Sequence, residues 1–339
     1  MQSDRGGRND LLDWLRTVAI LIVLVVHAVP GYEKTNLEKF GVDWLTTVFR
    51  PCIAIFLFSA GFFFPIDADF KYLLRRIKRV VIPYLVFSFL ALLYQTRVFG
   101  FIPEVLTQPG KVLGNLLIGN TWGVYWFIPM ILANYIFAYL VLRFKRQSLI
   151  QVTLVLLVIN LLHAAYYYRI IQHFQITEHP LIWLYSYRFF ISWPFFFFLG
   201  IVFREYQLMH YLTENKALVI SIWLLILGLN SFMLFNGIIQ AGGYNSVIDT
   251  LASVSAIGML WVLPVRHPWI TFIGETSYTI YLSHYFFFSF IRRIASMAFG
   301  EPPFWFTWVV LAFILAGPLI LIWAARRVLG KRSRFWLGA

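Results

Sequence analysis

Three ionisable side chains sit at the start of, and within, one apolar run near the N-terminus: Asp13, Arg16 and His27. Ionisable groups in a membrane-spanning segment are costly, which makes them candidates for a functional site. Arg16 and His27 are 11 positions apart. At about 100° per residue a helix brings both onto one face, about 20° apart. A rise of about 1.5 Å per residue separates them by about 16.5 Å, so they cannot touch. One face therefore carries a fixed cation at one level and a titratable imidazole at another. An imidazole of pKa near ~6.5 suits removal of a proton from an attacking hydroxyl, chemistry that needs neither metal nor cysteine. Plainer readings stand beside this one. Arg16 can be a snorkelling anchor paired with Asp13 one turn away, and His27 a hydrogen-bonded structural histidine near the interface.

A second constellation lies late in the chain, where Ser277, Tyr281 and His284 fall at i, i+4 and i+7. That spacing gives one stripe of hydroxyls ending in an imidazole, and such a stripe faces protein or a water-filled cavity rather than lipid. It is either a pocket wall or a set of interhelical hydrogen bonds. Ser277 and His284 are two turns apart, and no acid is placed to orient the imidazole, so they do not form a nucleophile pair. A third feature is the basic segment 71–79, read as a loop, with Lys71, Arg75, Arg76, Lys78 and Arg79. It is a positive-inside stop or a site for phosphates and anionic head groups. The remaining histidines (His163, His173, His179, His210 and His267) lack ligand spacing, and no metal site is expected. No Walker-type phosphate loop or glycine-rich dinucleotide turn occurs.

The elements that must position these groups follow from composition. Of 339 residues, 60% are hydrophobic and 13% charged, against about 45–50% and about 25% in a soluble domain. Mean hydropathy is +0.74, and Phe alone accounts for 35 residues. A soluble globule of this size has too little interior for so much apolar side chain. The chain therefore reads as a polytopic membrane protein, and soluble, disordered and collagen-like classes are excluded. The net charge of +13 is read as positive charge held on the cytoplasmic side of a bilayer, with no nucleic-acid partner. The single cysteine, Cys52, lies in an apolar run and reads as a small core residue. Arg5, Arg8 and the apolar run 18–29 mimic a signal peptide, but no small-x-small cleavage site follows. The segment is expected to stay as a first membrane helix.

A spanning helix needs about 20 mostly apolar residues. Ten stretches qualify: 11–30, 46–65, 79–97, 124–142, 148–168, 184–203, 217–236, 246–264, 271–295 and 304–325. Turn-forming residues mark the gaps, among them Pro30-Gly31, Pro109-Gly110, Gly242-Gly243 and Pro302-Pro303. Placing both termini inside puts twice as many Lys and Arg in the inner loops as in the outer ones, the sense of the positive-inside rule. Trp122, Trp126 and Trp183 near span ends suit an interfacial aromatic belt. The expected fold is an all-α bundle of about ten transmembrane helices, with both termini cytoplasmic and a single membrane domain over residues 1–339.

These residues, taken in order, resemble the acyltransferase 3 family of integral membrane O-acyltransferases. The first stretch has the family's Asp-x-Leu-Arg start and arginine–ten residues–histidine pattern, as Asp13, Leu15, Arg16 and His27. The second has Phe56-Leu57-Phe58-Ser59-Ala60-Gly61-Phe62-Phe63, in which Ala60 stands between the serine and the glycine. The basic segment running into Pro83-Tyr84 is similar, as are Tyr125-Trp126-Phe127-Ile128-Pro129 and the aromatic run Phe195–Gly200. Gly274-x-x-Ser277-Tyr278-x-x-Tyr281-Leu282-x-His284 matches the family's late signature.

The resemblance implies transfer of an acyl group, most often acetyl, from a coenzyme A thioester to a hydroxyl. The acceptor it implies is a sugar of a glycan or a lipid-linked sugar. In this reading His27 is the general base or a transient acyl carrier, and Arg16, held by Asp13, steadies the donor. Arg75, Arg76, Lys78 and Arg79 meet its phosphates, and Trp126, Ser277, Tyr281 and His284 line the substrate site. Acyl-CoA (acetyl-CoA) is a co-substrate, with no tightly bound cofactor. The sequence runs about 14 residues past the last stretch, so the chain is expected to work alone or with a soluble partner domain on the outer side. Membrane lipids surround it, and the bacterial inner membrane is the expected location. Because Arg16 and His27 are so far apart, either the pantetheine arm threads between their levels or the acyl group moves in two stages; the first is favoured. The alternative function is a transporter or flippase of a glycan, lipid or acyl compound. The inverted repeats common among transporters are not apparent.

Overall fold

The computed structural model describes residues 10–99, 109–145, 148–173, 190–239 and 246–338, and every regular element among them is a helix. In chain order these are α1 (Asp10–Ala28), α2 (Asn36–Val48), α3 (Cys52–Phe62), α4 (Phe70–Phe99), α5 (Pro109–Ile118), α6 (Phe127–Lys145) and α7 (Leu149–His173). They continue with α8 (Pro194–Glu205), α9 (Met209–Glu214), α10 (Lys216–Phe235), α11 (Val247–Val262), α12 (Pro268–Phe299), α13 (Phe306–Leu329) and the short α14 (Ser333–Trp336). Among the described residues six segments are long and apolar enough to cross a membrane: Asp10–Ala28, Asn36–Phe62, Phe70–Gln95, Leu149–Tyr166, Lys216–Phe235 and Phe306–Leu329. Phe127–Arg143 and Val247–Val262 are shorter apolar helices.

Local chemistry accounts for the boundaries. Thr35 and Ser246 open α2 and α11 with capping boxes, each side chain accepting from the backbone three residues on while Glu38 or Asp249 reaches back. The stretch expected as one span over 46–65 overlaps the single candidate segment Asn36–Phe62, within which α2 ends at Val48 and Pro51 starts α3 afresh. The segment 71–79, expected as a loop, is instead the opening of α4. Asp69 accepts the Tyr72 amide at 2.6 Å, and no breaker occurs before Pro83 inside the helix. Of the expected span 184–203, the described residues form a 3₁₀ turn at 190–192 followed by the 12-residue α8, which is not among the six candidate spans; residues 184–189, with Trp183, lie outside the described residues.

The chain forms two compact units, one of Met1–Asp67 with Leu140–Ser277, the other of Ala68–Tyr139 with Tyr278–Ala339. In the first, the core gathers Leu15, Ile20 and Leu24 of α1, Ile55 and Phe58 of α3, and Phe197 and Phe198 of α8, all fully buried. Glycine makes the closest helix contact there. A Cβ on Gly61 of α3 would lie 1.8 Å from the Phe197 carbonyl oxygen, and one on Gly200 of α8 would lie 2.1 Å from that of Phe58. Small residues permit this backbone-to-backbone approach between membrane helices.

In the second unit, tyrosine hydroxyls do the joining. Tyr84 donates to the Leu116 carbonyl at 2.7 Å, Tyr125 to Leu282 at 2.6 Å, Tyr278 to Val80 at 2.7 Å, and Tyr281 to Val124. Trp122 is buried at 8% exposure with its ring 4.3 Å from Phe286. It is a core residue and not the interfacial belt residue its place near a span end suggested.

Candidate active site

The helix α1 is unbroken by proline or glycine from Asp10 to Ala28, so the spacing of Arg16 and His27 holds: one face, about 16.5 Å apart. Arg16 is fixed from two sides. Its Nη1 stands 3.5 Å from Asp13 Oδ1, and its guanidinium carbon sits 4.8 Å over the Phe63 ring just past α3. Asp13 is buried, whereas the Arg16 side chain keeps about a quarter of its surface open. A cation stacked on an aromatic face and tied to a buried carboxylate is held in place while part of it stays accessible. His27 lies half-buried in the last turn of α1.

The turn carrying Asp13 and Arg16 is clamped by its neighbours. Trp14 Nε1 donates to the Leu260 carbonyl at 3.1 Å, and Thr17 Oγ1 donates to the Ile270 carbonyl. A Cβ on Gly274 would lie 2.2 Å from the Asp13 carbonyl oxygen, so only glycine lets α12 run this close to α1. The glycine of the late signature thus has a positional task at the base of the Arg16 turn.

The stripe on α12 is buried. Ser277, in the first unit, donates to the Gly274 carbonyl of its own helix at 2.8 Å. Tyr281 and His284 belong to the second unit. The Tyr281 hydroxyl is given to Val124, and the fully buried His284 ring has Nδ1 2.7 Å from the Tyr281 carbonyl oxygen. The two hydroxyls therefore serve backbone carbonyls. Trp126 is half-buried beside Phe127, with ring centres 6.5 Å apart.

On α4, Lys71, Arg75, Lys78 and Arg79 are exposed and span about 100° of the helix circumference at about 100° per residue. No carboxylate among the described residues pairs with any of them. Arg76 is turned aside, its Nε donating to the Tyr72 hydroxyl at 2.8 Å. Four cations on one face without internal counter-charge form a surface suited to phosphate groups.

Sequence reasoning missed a buried polar system in the first unit. Arg50 Nη1 stands 3.2 Å from Asp249 Oδ1, both side chains under one-tenth exposed. Arg50 Nη2 also donates to Thr47 Oγ1 at 3.2 Å, and Ser246 Oγ to Asp249 Oδ2 at 2.6 Å. Beside it, Thr250 donates to Asn160 Oδ1, Asn160 Nδ2 donates to the Ser192 carbonyl, and Ser192 Oγ lies 2.8 Å from His163 Nδ1. His163 is thus engaged inside the unit, whereas His210 and His267 are exposed. The available signal was Asp249, the one acid in an otherwise apolar stretch, at N3 of a Ser-x-x-Asp capping box.

Comparison with curated proteins and with solved structures gives no match. The Acyl_transf_3 family model, described as an acyltransferase domain, matches residues 9–324, through both units and nearly the whole chain. The Asp13–Arg16–His27 helix and the Gly274 signature fall inside that match, and the chain belongs to this family of membrane acyltransferases.

Proposed function

We propose that the protein moves an acyl group, most simply acetyl, from acyl-CoA to a hydroxyl of a sugar, glycan or lipid-linked acceptor. One observation carries this reading: Arg16 is held by Asp13 and Phe63 on the same face of an unbroken helix that presents His27 a further three turns on. Arg16 steadies the thioester end of the donor, and His27 takes the proton from the acceptor hydroxyl or carries the acyl group transiently. Reacting atoms must approach to about 3–3.5 Å, so Arg16 does not itself polarise the carbonyl attacked beside His27. The pantetheine arm spans the difference. The exposed cations Arg75, Lys78 and Arg79, with Arg76 beside them, meet the phosphates of CoA. Trp126, Ser277, Tyr281 and His284 shape the substrate site, the last three as buried supports. The chain crosses a bacterial inner membrane about ten times with both termini in the cytoplasm, and a soluble partner domain can complete it on the outer side.

The test is turnover of acetyl-CoA by the detergent-purified protein, read as free thiol, beside His27→Ala and Arg16→Gln. Loss of general acid–base assistance costs about 10²–10⁴-fold, so His27→Ala is expected to fall at least a hundredfold with its elution profile unchanged. Arg16→Gln is expected to raise KM for acetyl-CoA. Turnover surviving His27→Ala discards His27 as base or carrier. Absence of both turnover and saturable CoA binding in folded protein returns the assignment to a transporter or flippase.

A further inference from the structure

The first unit contains a cavity of about 120 Å³ between α1, the α2–α3 turn, α10 and α11. Its walls are hydrocarbon from Val18 and Ile22 of α1, Ile55 of α3 and Trp223 of α10, and no charged side chain lines it. Val18 and Ile22 leave α1 about 120–180° round from Arg16 and His27, at about 100° per residue. The cavity is therefore on the opposite side of the helix from the face proposed for acyl transfer.

Two polar side chains line it, Asn230 and Ser255. Ser255 Oγ is satisfied through the Ala252 carbonyl at 3.1 Å. Asn230 is different. It is 2% exposed, and its Oδ1 has no hydrogen-bond partner. It is also the one buried residue of α10, a helix otherwise turned outward, with 6% of its spanning window buried. An amide carbonyl buried in an apolar membrane helix without a partner is unfavourable, so its one inward residue being an unsatisfied amide calls for a group that enters from outside the chain.

The lining restricts what that group is. A carboxylate, phosphate or ammonium would bring a charge with no counter-charge, which is far costlier than a neutral group. An ester or ketone offers only an acceptor and leaves Asn230 Oδ1 unmet. A hydroxyl donates to Oδ1 and accepts from the neighbouring amide N–H at once. Size sets the rest: at about 30 Å³ for each water- or methylene-sized group, the cavity takes about four such groups. A dry apolar cavity of about 150 Å³ holds a molecule the size of benzene, a comparable capacity.

We propose that this cavity binds an uncharged alkyl alcohol, with a hydrocarbon portion of about four carbons against Val18, Ile22, Ile55 and Trp223 and its hydroxyl on Asn230. The site serves a free small alcohol or the hydroxylated end of a neutral lipid, and it does not depend on the acyl-transfer reading.

The full-length protein in lipid nanodiscs is photolabelled with a diazirine-bearing butanol, and adducts are mapped by mass spectrometry. The expected result is saturable labelling of peptides from α10 and α11, displaced by 1-butanol about tenfold better than by 1-chlorobutane, the worth of about one buried hydrogen bond. Asn230→Leu keeps the volume and removes the amide, so it is expected to elute as wild type and lose saturable labelling about tenfold. Displacement by a neutral diol-bearing lipid at lower concentration than 1-butanol assigns the lipid source, and the reverse assigns the free alcohol. Equal displacement by 1-butanol and 1-chlorobutane overturns the proposal, as does undiminished labelling of Asn230→Leu. So does the absence of adducts on α10 and α11, which means the cavity holds water alone. Should Asn230→Leu fail to fold, the two competitors on the unaltered protein still decide.

Discussion

Arg50 and Asp249 show how a charged pair survives inside an apolar unit. Each is under one-tenth exposed, and their side chains meet at 3.2 Å. Desolvation of both ions offsets most of the Coulomb attraction, so such a pair adds little net stability, yet removing one partner strands the other and costs about 3–5 kcal/mol. Arg50→Met is therefore expected to lower the thermal unfolding midpoint of the purified protein sharply, because Asp249 then keeps only Ser246. Arg50→Met combined with Asp249→Leu is expected to recover most of that loss. A single change as stable as wild type would show that the pair is solvated in the membrane and structurally idle. The pairing of the two residues was not legible in the sequence. Arg50 stands just before Pro51 within the expected span 46–65, and its partner is 199 positions away, a separation that no local pattern bridges. The Asp13–Arg16–His27 set was legible for the opposite reason, since all three share one helix and helical period alone relates them.

Among the elements, the glycines separate into those that set a helix approach and those that merely tolerate their place. Added Cβ atoms at Gly61, Gly200 and Gly274 would lie 1.8, 2.1 and 2.2 Å from backbone oxygens, whereas one at Gly228 in α10 would meet nothing within 4 Å. Backbone cannot swing aside as a side-chain tip can, so the helices must part. Overpacking of this kind costs about 1–3 kcal/mol, occasionally more. Gly61→Ala and Gly200→Ala are expected to destabilise by at least that much, while Gly228→Ala gains up to about 1 kcal/mol of helix propensity. Gly274→Ala carries a further expectation. It displaces the Asp13 turn and with it Arg16, so acetyl-CoA turnover should fall further than the loss of folded protein explains; a fall matched to folded fraction assigns Gly274 to packing alone. The sequence offered these glycines as parts of motifs, and composition with breakers was enough to find the long apolar helices. The opening of α4 was not found, because a run of cations reads as loop unless its i, i+4, i+7, i+8 spacing is weighed. Trp122 was misjudged because position near a span end does not say which way a side chain faces.

At the scale of the whole chain, the proposed topology gives an orientation that can be checked directly. Helix α1 has 19 residues and is about 28 Å long at about 1.5 Å per residue, close to the hydrocarbon thickness of about 30 Å. Its two ends therefore emerge on opposite faces. On the proposed ten-span topology Lys and Arg favour the side of the N-terminus two to one, which would place that end in the cytoplasm and Lys39 toward the outer side. Lys216 and Arg334, exposed in the first and second unit respectively, belong to the inner set. Cys52, the single cysteine, is buried and in no disulfide, so a Cys52→Ala background accepts one reporter thiol at a time. With a membrane-impermeant maleimide on intact cells, Lys39→Cys is expected to react, while Lys216→Cys and Arg334→Cys react only after permeabilisation. The reverse pattern would move the unpaired cations of α4 to the outer side, away from any cytoplasmic acyl-CoA, and the assignment of Arg75, Lys78 and Arg79 to its phosphates would fall with it. A split result, Lys216 on one side and Arg334 on the other, would mean an odd number of crossings between them and would remove the ten-helix count while leaving the α1 site intact.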